Sequence, residues 1–290
     1  GVVGGMESYV WHLAHAQLQL GYMVHVITET VVGNFDSRIQ VHRVLPSQHK
    51  RRWRQMLEFR NSVHALVRET WPRTSRPLIH SHERCLDHDV TTFHGPPMNT
   101  GIIQALISRR VVNWREMERD ELFNSNNPLV IPVSTLLSRQ LKSRYPDLTG
   151  RLMQPVYPGV DAASAKTTDE SLTQLDSDGV RILFVGVDWK RKGLNKALSI
   201  FKLAVKNSEK HLSMDVVGPD QTARVRVERA GAIYRGWCQS IDFSQYDVLV
   251  HPAYHEPFGM VVSEAREAGC RVLCSDQVGA GELYRLDKGT

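Results

Sequence analysis

No run of about 18 or more uncharged apolar residues occurs in the sequence, so it offers no membrane-spanning helix. Nor does the chain open with a charged start, an apolar core and a small-residue cleavage site, which points to the cytoplasm. Cysteine is scarce. Cys85, Cys238, Cys270 and Cys274 are the only four, and none stands in CxxC spacing. That excludes a disulfide-stapled scaffold and a zinc ribbon; Cys270 and Cys274 flank a short apolar run and read as buried thiols. The GxGxxG dinucleotide fingerprint is missing, which disfavours an oxidoreductase. What is present is ordinary for a globular protein: 41% hydrophobic and 23% charged residues over 290 positions, a length that suggests two domains.

The net charge of +5 is unevenly placed. Residues 1–160 carry 19 Lys/Arg against 13 Asp/Glu, and residues 161–290 carry 17 against 18. A basic first half favours an anionic partner. No nucleic-acid-binding motif or stacking platform accompanies it, so nucleic acid is not expected.

The hydrophobic pattern alternates between strands and helices. In the first half, helical spacing over 6–20 is followed by strand patterns at 24–28 and 41–45. A helix over 53–70 follows, then strands at 78–82 and 90–93. Helices around 102–123, a strand at 129–133 and a helix capped by Ser134 complete that half. Residues 162–179 are polar and read as a linker. Strands at 181–185, 212–217, 232–234, 246–251 and 271–275 then alternate with helices over 194–205 and 259–268. Such alternation means crossover connections and parallel sheets. The pattern predicts an N-terminal domain over 1–161 and a C-terminal domain over 180–290. Because the chain opens on a glycine loop and closes soon after a strand, it is expected to lack the first strand of one domain and the last helices of the other.

Chemistry concentrates in a few segments. Gly1, Gly4 and Gly5 precede a helix, where bare amides and the helix dipole suit an anion, although a ligand-free tight turn fits equally well. Segment 251–269 begins at the carboxyl end of a strand. It places Glu256 in a loop, Gly259 at a helix start and Glu264 inside that helix. A loop carboxylate accepts hydrogen bonds from sugar hydroxyls, a helix N-terminus holds diphosphate, and a glutamate one to two turns along reaches a ribose. His251 and His255 beside Glu256 are poor metal ligands, because Pro252 denies them the helix that would align both rings. In segment 184–198, a strand ends at Gly186 and a charged loop offers Arg191 and Lys192 before Gly193. Two cations at a sheet's carboxyl edge suit a diphosphate.

Taken together, these segments resemble the retaining GT-B glycosyltransferases of the large family 4 type, the glycosyl transferases group 1. Gly4-Gly5-Met6-Glu7, Phe93-His94-Gly95, Tyr157-Pro158-Gly159-Val160-Asp161, Arg191-Lys192-Gly193 and the Glu256-to-Glu264 pair around Pro257-Phe258-Gly259 occur in the family's order. The stretch 247–254 looks nearest to lipopolysaccharide-core glucosyltransferases. The resemblance implies two Rossmann-like, doubly wound parallel-sheet domains facing a cleft, a UDP- or GDP-linked sugar as donor, a glycan or lipid-linked acceptor, and no metal or other cofactor. It assigns Arg191 and Lys192 to the leaving diphosphate, Glu256 to the donor sugar and Glu264 to the ribose. Phe258, Gly259 and Met260 would lie near sugar and phosphates, with Gly186 in the donor site. Gly4 and Gly5 would close over the phosphates, and His94 would lie near the donor sugar. His80 and His82 read as loop residues. A sugar-nucleotide epimerase or a non-catalytic sugar-nucleotide-binding protein are the competing readings.

Residues 50–60 hold Lys50, Arg51, Arg52, Arg54 and Arg60 against Glu58, interleaved with Trp53, Met56, Leu57 and Phe59. On a helix this is either a basic amphipathic surface for anionic lipid, making the protein peripheral to the membrane, or a solvated helix whose apolar residues pack on the sheet.

Overall fold

The computed structural model describes residues 4–31, 36–72, 74–98, 108–124, 126–160, 179–219, 221–238 and 240–284. The chain divides into two compact units between Val156 and Tyr157. Of the segment read as a linker, residues 162–178 lie outside the described residues, as do Asp161 and Gly1.

In the first unit, α1 (Gly5–Gln19) leads into β1 (His25–Thr28), which pairs in parallel with β2 (Gln40–Arg43). After α2 (Arg52–Thr70), a second parallel sheet has the order β3 (His80–Ser81), β4 (Val90–Phe93), β5 (Leu129–Pro132). α3 (Arg109–Phe123) precedes β5 and α4 (Thr135–Arg144) follows it. The Ser134 hydroxyl caps α4 by accepting from the Leu137 amide at 3.0 Å, so one of the helix's unpaired first-turn donors is satisfied. The stripe on α2 buries Val63 and Val67 against Val44 and Cys85, and Phe59, Leu66 and Trp71 pack on that cluster.

The second unit is one five-stranded parallel sheet. Its strands are β6 (Val180–Val185), β7 (Leu212–Val217), β8 (Ile233–Gly236), β9 (Val248–His251) and β10 (Arg271–Cys274), in spatial order β8-β7-β6-β9-β10. That order is the doubly wound one, winding outward from β6 in both directions. The helices are α5 (Trp189–Lys192), α6 (Leu194–Asn207), α7 (Arg224–Arg229) and α8 (Met260–Glu267). Phe184, Met214 and Val216 of the central strands are fully buried with Leu194, Ala197 and Phe201 of α6. Central strands covered on both faces read as continuous apolar runs, which is how 182–185 and 248–250 look in the sequence.

The spacing predicts a charged loop at 187–193. Instead, α5 forms a single helical turn because Asp188 accepts from the Arg191 amide at 3.2 Å and Gly193, at φ +81°, takes the left-handed conformation that ends it.

Candidate active site

Strands β6 and β9 are hydrogen-bonded neighbours, yet the chain leaves them for opposite edges of the sheet. Open α/β sheets bind ligands at the carboxyl ends of strands where the winding reverses in this way. Two segments emerge there: 186–193 after β6 and 252–259 after β9. Their backbones meet. Tyr254 N donates to Arg191 O at 2.9 Å, and a Cβ on Gly193 would stand 2.2 Å from Pro252 O, so no side chain fits at that position.

The close approach brings two cations onto one carboxylate. Arg191 Nη1 donates to Glu256 Oε2 and to the His255 carbonyl, each at 2.9 Å, and Lys192 Nζ also pairs with Glu256 Oε2. Glu256 is buried, 8% exposed. Burial favours its neutral form, but the ion pairs with Lys192 and Arg191 outweigh that and hold the carboxyl well below the ordinary range. His251 is fully buried, with Nε2 3.8 Å from Glu256 Oε2, beyond hydrogen-bond length, and neither ring nitrogen has a hydrogen-bond partner. Burial holds its pKa below the ordinary value. Arg191 Nε also lies 3.5 Å from Asp188 Oδ2, so two cations face two carboxylates, and an incoming diphosphate would take the cations up in competition with them.

The Glu256 loop is pinned from behind. Glu256 N donates to Gln277 O at 2.9 Å, Gly279 N to Glu256 O at 3.0 Å and Ala280 N to Phe258 O at 2.8 Å. Phe258 is buried, and the Tyr157 ring lies 6.3 Å from it. Gly259, at φ +94°, turns the chain into α8, whose first residue is Met260. Glu264 is half-buried in that helix. Burial raises its pKa against the opposing charge of Lys192. Arg191, Lys192, Glu256, Phe258, Gly259, Met260, Glu264 and Gly186 thus share one edge of one sheet.

In the first unit, a second group forms at the carboxyl ends of β3 and β4. In parallel register His80 faces Val90 and Ser81 faces Thr91, so His82 and His94 each follow directly on their strand. His80 Nε2 lies 2.8 Å from Thr92 Oγ1, and His82 Nδ1 lies 3.1 Å from His94 Nε2. Tyr9, on α1 one turn past Gly4 and Gly5, sets its ring edge-on to both His82 (5.5 Å) and His94 (5.1 Å). Burial pushes the rings' pKa values down, to about 4 for His80 and His94 and about 2 for His82. His80 and His82, read from the sequence as loop residues, therefore belong with His94. The segment after His94 is held by the fully buried Glu118 of α3. It accepts from Met98 N (2.9 and 3.1 Å), from Tyr145 Oη (2.6 Å) and, more loosely, from Arg84 Nη2 (3.4 Å).

The carboxylates flanking His88, those of Asp87 and Asp89, are both engaged. Asp87 pairs with His64, and Asp89 accepts from Arg76 Nη2 (2.5 Å) and Ile79 N (2.8 Å). Among the described residues no group of three His, Cys, Asp or Glu is arranged to hold a metal ion.

The basic helix is split between two roles. Phe59 packs toward the core and Arg60 Nη1 pairs with Asp120 at 2.7 Å. Lys50, Arg51, Arg52 and Arg54 remain exposed beside Trp53. No helix among the described residues is long and apolar enough to cross a membrane.

Residues 3–164 match the family described as Glycosyltransferase Family 4, and residues 166–289 match Glycosyl transferases group 1. The first match alone covers more than half of the chain, and the protein belongs to this glycosyltransferase family. Its fold is GT-B. The chain is similar over 99% of its length to the crystal structure of WaaG, a glycosyltransferase involved in lipopolysaccharide biosynthesis, covering 82% of that chain at TM-score 0.80 and 18% identity. A glycosyltransferase from Rickettsia africae (TM-score 0.65, 17% identity, 97% of this chain and 78% of that one) has the same architecture. So has Anabaena HepE in complex with UDP (TM-score 0.62, 17% identity, 97% and 79%). A curated relative, an uncharacterized 41.2 kDa protein in the cps region of Klebsiella pneumoniae, is 28% identical over 116 residues. That alignment spans 38% of this chain and 31% of the relative, so the chain matches less than a third of that protein's length.

Proposed function

We propose that the protein is a retaining hexosyltransferase that moves a sugar from a nucleoside-diphosphate donor to a glycan or glycolipid acceptor of the cell envelope. The convergence of Arg191 and Lys192 on Glu256 at the switch point of the second unit's sheet carries this reading. Anabaena HepE, which shares the fold, was crystallised with UDP, and Arabidopsis starch synthase IV (TM-score 0.65) with ADP, which favours a nucleoside diphosphate as the leaving group here. The context of the fold and sequence relatives, lipopolysaccharide biosynthesis and a cps region, favours an envelope acceptor and a cytoplasmic site of action.

In this reading the bond from the sugar's anomeric carbon to the diphosphate oxygen breaks, and Arg191 and Lys192 stabilise the charge that develops on that oxygen. This is the task a metal ion performs in other transferases, and here it needs none. A cation about 4 Å from a phosphate oxygen near a protein surface contributes about 4 kcal/mol. Glu256 accepts from the sugar hydroxyls, Glu264 holds the ribose, and the amides at Phe258–Met260 face the phosphates, with Gly186 leaving the space beside them. In the first unit, Gly4 and Gly5 serve the phosphates and His94 the donor sugar. The acceptor hydroxyl attacks from the face the diphosphate leaves. Its proton passes to the departing phosphate oxygen, and the anomeric configuration is retained. The exposed Lys50, Arg51, Arg52 and Arg54 rest on anionic lipid, each contributing about 1 kcal/mol.

Glu256→Ala and Lys192→Ala should each lower turnover more than tenfold without unfolding the protein, and proton NMR of the product should show the donor's anomeric configuration. Wild-type turnover in both variants would overturn the site; an inverted product would overturn retention.

A further inference from the structure

We propose that His82 is a positioning residue for His94: its Nδ1 shares one proton with His94 Nε2, so that His94 meets the donor sugar through Nδ1 and in a single tautomer. This rests on the placement of His94 at the donor sugar given above, and it concerns a residue to which neither the family match nor the resemblance assigns a role.

The geometry has three parts. First, His82 and His94 leave adjacent parallel strands one residue beyond their ends, and side chains two apart share a face. His80 and His82 therefore lie on the same side of the sheet as Thr92 and His94. Both cross-strand contacts follow the same diagonal, His80 to Thr92 at 2.8 Å and His82 to His94 at 3.1 Å. Second, the turn carrying His82 is locked. Ser81 Oγ donates to Glu83 O at 2.6 Å, and Cys85 N donates to the same carbonyl at 2.7 Å. Third, the Tyr9 ring is edge-on to both imidazoles, and the His80 ring lies 4.4 Å from that of His82, which restricts how far His82 can turn.

A nitrogen-to-nitrogen hydrogen bond between imidazoles holds one proton, and each ring's state follows from the other's. With Nε2 committed to His82, His94 has Nδ1 left for a ligand. A neutral ring of fixed tautomer presents either a donor or an acceptor to a sugar hydroxyl, not an average of both. The same relation holds where a second group orients a catalytic histidine through its far nitrogen.

The test is long-range nitrogen–proton NMR on the full chain labelled with 15N-histidine, with His94→Asn used to assign the His94 signals. In the wild type, one His94 nitrogen should resonate as protonated and the other as unprotonated. In His82→Phe both should move toward the average of the two tautomers, while His82→Asn, which keeps a polar group at the position, should retain the split pattern. An unchanged His94 pattern in folded His82→Phe overturns the proposal. Should His82→Phe not fold, loss of the split pattern in His82→Asn at wild-type pH would overturn it instead, since Asn keeps a hydrogen-bonding partner. Release of UDP from UDP-glucose, with water as acceptor, separates the proposal from the reading beneath it. If the nitrogens respond to His82 while His94→Asn releases UDP at the wild-type rate, the pairing stands and the placement of His94 at the donor sugar falls.

Discussion

Lys192 lies along the bare backbone of Gly186: a Cβ at that glycine would stand 2.9 Å from the lysine Cγ and 3.2 Å from its Cβ. These are the inner atoms of the side chain, fixed by the single helical turn that carries them, so a methyl group at Gly186 displaces the turn itself. Gly186→Ala should cost about 1–3 kcal/mol of stability from overpacking. It should also weaken nucleoside-diphosphate binding by about tenfold, because Lys192 and Arg191 move together. Chemical denaturation and calorimetry read the two effects separately. Wild-type affinity in the variant would show that the position of α5 does not govern the site.

Glu121 gives a stability prediction free of any assumption about function. It is nearly fully buried in α3, and Thr91 Oγ1 donates to it at 3.0 Å. Burial raises its pKa to about 8 against the opposing charge of Arg84 and the Thr91 bond. The folded state thus keeps a proton that the unfolded state releases near pH 4.3. The stabilisation is complete below that pH and is lost as pH rises toward 8, at up to about 1.4 kcal/mol per unit. Glu121→Gln keeps an acceptor for Thr91 and does not titrate. Its urea midpoint relative to wild type should therefore rise between pH 5.5 and 8.5. An equal difference at both values would contradict the buried, protonated carboxyl.

The exposed cations at the start of α2 make a third prediction. Binding of the protein to vesicles containing phosphatidylglycerol should fall by at least tenfold in the triple variant Arg51→Glu, Arg52→Glu, Arg54→Glu, and the wild type should be released by raised salt. Arg60→Glu alone should instead lower thermal stability, since Arg60 pairs with Asp120. Equal vesicle binding by the wild type and the triple variant would remove lipid from the account.

Particular residues show where the sequence was readable. Strand 212–217 and strand 90–93 appear in the structure at the residues their strand patterns mark, and the Gly259 turn into a helix was marked by its glycine. The pairing of Arg191 and Lys192 with Glu256 was not legible, because it depends on a backbone contact between Gly193 and Pro252, residues 59 positions apart that meet only through the β6–β9 pairing. The α5 turn was missed because a capped four-residue helix carries too little periodicity to register against a charged loop. His82 was missed for a different reason. His-Ser-His and Thr-Phe-His both alternate with the period of a strand, but no local pattern shows that β3 and β4 are neighbours, and only their register sets His82 against His94.

The most direct test of the account is calorimetric titration of the wild type and of Lys192→Ala with UDP, GDP and ADP in the presence of EDTA. One nucleotide should bind the wild type, and its affinity should drop at least tenfold in the variant, as expected if a lysine replaces a metal at the diphosphate. A folded wild-type protein that binds none of the three, or a variant that binds as tightly as the wild type, would contradict the claim that Arg191, Lys192 and Glu256 form a nucleotide-sugar site.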